Sequence, residues 1–550
     1  MELIDQHTKE IMEGCKERAR DAGLSFEDET LEYIVTNRDL LELSPKVMIP
    51  TLYDYWVHDV EVLKEKGKYE LYPGNPYETV INTRPAISYY NDNNPDWLNV
   101  MIFYHVIAHI DFFQNNLYFR HTWDYDFTGQ ALSDKRLIAN LRAEKGRWVD
   151  YVIEFSRGID NLAGYHTLLS NIHHPPTLDG SEKLNFYFDI FLQDHLKVNI
   201  GKYIKEIERY NDYQEKYGEL GEKTFFSEVE KKHPELKALF DKHLRDKPEH
   251  NPDIYLYLLK HSAKLAKEKN NWMRLVMQVV RNTSLFFQPQ IRTKIMNEGW
   301  ASYWHETLFL KDDRIKGHEV EFAKVNAGVT ALPRVGLNPY ALGMRLFYYI
   351  EEMVDQGKNS FAFQSLKDTL ARDAYDQDTQ KGHDFIFALR ENYCDFTFVN
   401  DFLDQDFIDR HKLFVAGKRL NRRKMVYEYY VKSRKAKAYR DMVFGSLYHP
   451  PRIIVEPEFT TEKKLYLKHV FEGKPLVRDY IANTMLGIEY LWGAPVMLET
   501  NEPVATPQTE TKVFVVGPSG QPKEETQRPP YKWQRVLYTM ENRKLTRKLL

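Results

Sequence analysis

A chain with 36 tyrosines and 31 phenylalanines carries too much ring surface to remain a disordered ensemble, so a packed interior is expected. Its 550 residues exceed what one ordinary hydrophobic core accommodates, which points to two or more structural units. The formal charge of -4 gives no whole-protein basic field, which argues against a dedicated nucleic-acid binder. Cys15 and Cys394 are too few for a zinc ribbon or a disulfide framework, and scarce cysteine fits a reducing compartment. Residues 1–7 contain acids and no apolar run, unlike a secretory signal. Apolar stretches such as residues 98–110 hold polar residues and are too short to cross a bilayer, so no transmembrane segment is expected. These features together describe a cytoplasmic protein.

Helical patterning dominates residues 1–400. It recurs over residues 2–22, 34–65, 133–170, 192–217, 253–269 and 271–287, with Pro289 expected to end the last of these. Residues 77–83 are rich in β-formers and can pair with residues 85–90. After Pro95 a helix is expected to run through His105 and His109, and another restarts by Ile291 and carries Glu298 and His305. Composition changes after about residue 400. A basic stretch with interleaved aromatics, residues 418–440, reads as an amphipathic helix within a connector over 401–445. Residues 446–505 then show a strand, strand, helix, strand order, and 506–550 reads as a partly flexible tail. The expected fold is a mainly α N-terminal domain with a few short strands, plus a small α+β C-terminal module.

Two histidines four positions apart, His105 and His109, lie about 40° apart on one helix face, a spacing that suits a single metal ion. The same spacing suits two core or surface histidines. A zinc-peptidase helix places its glutamate base directly after the first histidine, and here that position is Val106, which disfavours an ordinary metallopeptidase mechanism. Glu298 and His305 share a face of their helix about 10 Å apart, so Glu298 as ligand with His305 as acid, base or supporting partner is the simpler arrangement. An aromatic-rich core helix is the alternative. Asn116 shares the His105/His109 face and can orient a ligand or close a helix terminus. Arg334, Asn338 and Tyr340 can bind an anionic group or serve turn chemistry beside Gly336 and Pro339.

Several blocks in register resemble the SpoVR family (stage V sporulation protein R). They are His109-Ile110-Asp111-Phe112-Phe113-Gln114-Asn115-Asn116, the stretch from Met296 to His305, Gly336-Leu337-Asn338-Pro339-Tyr340-Ala341-Leu342-Gly343, and Leu491-Trp492-Gly493-Ala494-Pro495-Val496. The resemblance implies a role in spore cortex formation, or a stress-related equivalent in organisms that make no spores, and a PrkA-type serine kinase as partner. Glu298-Gly299-Trp300-Ala301 with Tyr303 also resembles the third-ligand helix of some zincin-type peptidases. That likeness implies a zincin-like fold and a divalent metal, zinc foremost, held by His105, His109 and Glu298. His305 and Glu306 are then the candidate catalytic residues. Two functions stay open: a metal-dependent hydrolase acting on an amide-containing substrate, and a non-catalytic regulator or scaffold partnering the kinase.

Overall fold

The computed structural model describes residues 2–27, 29–36, 78–123, 127–166, 182–198, 200–246, 253–421, 425–505, 512–516, 522–526 and 531–550. The chain divides into two compact units, residues 1–161 with 267–450, and residues 162–266 with 451–550.

The first unit is built around one helix. Its elements include α1 (Gln6–Asp21), α2 (Asp96–Asn115), α3 (Lys294–Phe309), α4 (Glu319–Val329), α5 (Pro339–Asp355) and α6 (Gly382–Asn392). Pro95 stands at the N-cap of α2, where its missing N–H costs nothing, and every residue from Leu98 to Phe113 is buried. A helix that is apolar on all sides must be surrounded. Here α1 and α3 pack against α2, and α5 packs against α3. The α3–α5 contact is made by glycines: a Cβ built on Gly299 would overlap the Gly343 backbone, and one on Gly343 would overlap the Ile295 carbonyl. Asn338 caps α5 by accepting from the Tyr340 and Ala341 N–H groups, with Pro339 in the first turn.

A small sheet completes this unit. Strands β1 (Glu2–Leu3), β2 (Thr30–Val35), β3 (Glu78–Ile81) and β4 (Ala86–Asn91) lie in the order β1-β2-β4-β3, with β2 and β4 parallel. The β3–β4 pair is the one expected from the β-rich composition. Ile34, expected to open a helix, lies instead in β2, where the run Leu31-Glu32-Tyr33-Ile34-Val35 favours an extended chain. The rest of that expected helix, residues 37–65, is outside the described residues. Pro289 does not end its helix, which runs over Asn271–Arg292 and stops at Thr293, whose hydroxyl donates to the Pro289 carbonyl. The basic stretch 418–440 is not one helix. It forms a hairpin of β5 (Val415–Asn421) and β6 (Val426–Ser433), followed by the helix Ala436–Ser446. Val426-Tyr427-Glu428-Tyr429-Tyr430-Val431 is dense in β-formers, and that preference outweighs the helical charge pattern.

In the second unit, β7 (Ile453–Val455), β8 (Leu465–His469), α7 (Arg478–Trp492) and β9 (Val496–Ala505) give the strand, strand, helix, strand order read from the sequence. The parallel β8–β9 pair requires a crossover, which α7 supplies, and Gly493 ends that helix at φ 86°. Two further strands, β10 (Tyr531–Glu541) and β11 (Lys544–Leu549), extend the sheet to the order β11-β10-β9-β8-β7. The end of the chain, read as a tail, is thus partly sheet. Val536, Tyr538 and Met540 alternate along β10 and are buried, while Arg535 and Arg547 pair with Glu499 and Glu502 of β9. Truncation after residue 530 is therefore expected to strip amide protection from Val496–Ala505 in hydrogen exchange, and unchanged protection there would contradict this packing. No helix among the described residues is long and apolar enough to cross a membrane.

Candidate metal site

The packing of α2 against α3 brings His105, His109 and Glu298 together, with one ligand atom from each lying within 4.8 Å of the others. Glu298 Oε2 is 3.5 Å from His109 Nε2 and 4.0 Å from His105 Nε2. Both histidines are 5% exposed, and the Glu298 side chain is 17% exposed.

The outer nitrogens of both rings are anchored. His109 Nδ1 lies 2.9 Å from Asn297 Oδ1, and an amide oxygen only accepts, so Nδ1 carries a proton and Nε2 is turned towards Glu298. His105 Nδ1 lies 2.9 Å from His305 Nδ1, and His305 Nε2 lies 2.9 Å from Asn326 Oδ1. Burial pushes His305 down to about 4, against the pull of the Asn326 hydrogen bond, so the ring is neutral at pH 7 and its one proton sits on Nε2. His305 Nδ1 is then an acceptor, and His105 must donate to it. Burial, helped by the neighbouring His109 and His305, holds His105 well below the ordinary histidine range, while the Ala301 carbonyl draws on the same ring in the opposite sense. A neutral His105 with its proton on Nδ1 presents a bare Nε2 to Glu298.

The Nε2 atoms of His105 and His109 and Oε2 of Glu298 thus converge, a donor set that could hold a cation. Tetrahedral zinc with nitrogen and oxygen ligands places its donors about 3.3 Å apart, close to the 3.5 Å and slightly inside the 4.0 Å found here. Three protein ligands with a fourth position for water are the set that catalytic zinc sites use, whereas structural sites use four. Phe113 stacks on His109 and Tyr340 on His105, each with ring centroids 6.0 Å apart.

The remaining expected residues lie further out. Glu306 turns away from the three ligands: its carboxylate accepts from Asn326 Nδ2 at 2.5 Å and from the Tyr348 hydroxyl at 3.3 Å. It borders an open groove of about 640 Å³ shared with Phe322, Asn326, Met344, Arg345 and Tyr348. Asn116 closes α2, donating to the Arg390 and Tyr393 carbonyls and accepting from the Tyr118 N–H. Asn338 caps α5 and donates to the Val329 and Ala331 carbonyls. Arg334 is exposed, and Tyr340 alone of the four candidate substrate residues touches a ligand ring.

Asn297, Asn326 and Asp395 were not singled out from the sequence. Asn297 adjoins Glu298, and its neighbourhood in the chain was a usable signal. Asp395 accepts from the Ile295 and Met296 N–H groups and so fixes the start of α3, although burial raises its carboxyl to about 7.

A family model described as SpoVR like protein matches residues 3–447. The chain is 24% identical over 334 residues to the uncharacterized protein YcgB of Escherichia coli (strain K12). That match covers 58% of this chain and 59% of the relative, so the chain spans under two thirds of the relative's length. No solved structure matches, and a zincin-like fold finds no support there.

Proposed function

The chain belongs to the SpoVR-like family, and from that premise we propose that His105, His109 and Glu298 hold a divalent metal, zinc foremost, in a metal-dependent hydrolase acting on an amide-containing substrate. The observation that carries this reading is the convergence of two imidazole Nε2 atoms and a carboxylate oxygen, each ring fixed from behind by a hydrogen bond. When bound, the metal supplies a Lewis acid that polarises an amide carbonyl and acidifies water.

The chain's own groups then divide the work. Asn297 and His305 aim the two imidazoles, and Tyr340 walls the side next to His105. His305 spends its Nδ1 lone pair on His105 and its Nε2 proton on Asn326, which suits it to orienting a ligand better than to moving protons. Asn116 and Asn338 are engaged by backbone groups, so substrate recognition is assigned to Tyr340, with exposed Arg334 six positions before it in the sequence.

A second reading, a regulator or scaffold acting with a PrkA-type serine kinase in sporulation or a stress response, draws on a different observation. The two open grooves that Glu306 borders, of about 640 and 660 Å³, include none of the three ligands. In that reading the metal stiffens the α2–α3 contact.

Elemental mass spectrometry on the untagged protein, beside a His105→Ala/His109→Ala variant, tests the shared premise. Near-stoichiometric zinc that is lost in the variant is expected. Wild-type protein that takes up no metal even after reconstitution would overturn the site. Given metal, Glu298→Gln protein that hydrolyses an amide library as the wild type does would remove the hydrolase reading.

A further inference from the structure

We propose that Glu306, at the rim of the groove beyond α3, is a positioning residue for His105, acting through Asn326 and His305. The proposal builds on the metal-site reading and adds to it a residue that touches none of the three ligands.

The argument is one of hydrogen-bond direction. A carboxylate accepts, so the Asn326 side chain must turn its NH2 group towards Glu306, 2.5 Å away. Its oxygen is thereby committed to the other side, where it meets His305 Nε2 at 2.9 Å. An oxygen at that position demands a proton on His305 Nε2. In a neutral ring this leaves Nδ1 bare, to accept from His105 Nδ1 at 2.9 Å. The proton on His105 Nδ1 frees its Nε2 to face Glu298. Each side-chain link has two possible polarities, and two groups have one: the Glu306 carboxylate at the outer end and the Ala301 carbonyl that draws on His105.

His305 is fully buried and Asn326 is 8% exposed, so both depend on each other for partners. Were Asn326 to turn over, its NH2 would face His305 Nε2 and move that ring's proton to Nδ1. Two N–H groups would then oppose each other across 2.9 Å, and His105 would have to carry its proton on Nε2 or leave the cluster. Tyr348 also bonds to Glu306, through the other carboxylate oxygen, but says nothing about the polarity of Asn326. Replacing it therefore serves as the control.

The test uses the full chain, metal-free and labelled with 15N-histidine. Long-range proton–nitrogen correlation reads the tautomer of His105, identified by difference from a His105→Gln spectrum. Wild type, Glu306→Gln and Tyr348→Phe are expected to show His105 protonated on Nδ1, because the glutamine carbonyl and the intact carboxylate both still accept. Glu306→Leu is expected to show a mixture of tautomers. Zinc affinity, by competition with a chromophoric chelator, should fall about tenfold in Glu306→Leu and stay within about twofold in Glu306→Gln. Should Glu306→Leu fail to fold, Glu306→Gln/Asn326→Asp replaces it: the amide and carboxylate trade places, an oxygen still faces His305, and the wild-type tautomer should persist. A folded Glu306→Leu protein with the wild-type tautomer, or a swapped pair with His105 protonated on Nε2, would overturn the proposal. If the wild type binds no zinc, the metal reading falls while the tautomer measurement still decides the role of Glu306.

Discussion

Asp111→Ala is expected to lower the stability of the protein by about 3–5 kcal/mol, measured as a shift in urea midpoint at constant slope. Asp111 is fully buried on α2, on the side of the helix away from His105 and His109. One carboxylate oxygen accepts from the Ser25 N–H at 2.8 Å, and the other from Trp300 Nε1 at 2.8 Å. Arg390, 3% exposed in its side chain, brings Nε to 3.5 Å from that second oxygen. Removing the carboxylate strands a backbone donor, an indole donor and a buried cation together, and such losses are larger than the bonds themselves.

The same residue carries a pH signature. Burial pushes the Asp111 carboxyl up to about 6 against the pull of Arg390, above the value of about 3.9 of an unfolded aspartate. Between those two values the folded state binds more protons than the unfolded one, so this group's contribution to stability falls as pH rises from about 4 to about 6. Asp111→Asn, which cannot titrate, should remove that component. The stability of wild type minus that of Asp111→Asn should therefore decline across this window, and a difference that rises instead would show that Arg390 outweighs burial.

Asp111 also shows how far a sequence can be read. Two positions after His109, it lies about 200° around the helix, away from the face of His105 and His109, and such helical geometry is local. For the same reason His105 and His109 were legible as a pair. Glu298, nearly 190 positions later, was reached through resemblance, since periodicity within one segment says nothing about which helix will face it. The β7, β8, α7 and β9 order was legible from turn residues and alternation. The β10 and β11 strands are hidden in a segment that reads as a partly flexible tail, and only the partners Glu499 and Glu502 on β9 give Arg535 and Arg547 a reason to lie in a sheet. Asn326 left no mark on the sequence at all. It is one amide on α4, and its role depends on Glu306 on one side and His305 on the other.

Gly343→Ala is expected to destabilise the protein by about 2–3 kcal/mol and to weaken zinc binding at the same time. In an exposed helix this change would add about 1 kcal/mol of stability. Here the new methyl would meet the Ile295 carbonyl oxygen and approach Gly299 Cα at 2.7 Å, and both are backbone atoms that no rotamer change can move. Relief requires α5 to back away from α3 as a body. Since α3 carries Glu298 and Asn297, and α5 carries Tyr340, the separation is felt at the ligands and at the wall beside His105. Gly299→Ala should act alike, because its Cβ would strike the Gly343 backbone from the opposite side. The two changes share one contact, so the double variant should lose clearly less than the sum of the singles: once the helices have parted for one methyl, the second finds room. Additive losses in urea midpoint would mean that each glycine is held by separate surroundings. Sub-additive losses with a matching drop in zinc affinity would tie the α3–α5 contact to the geometry of His105, His109 and Glu298.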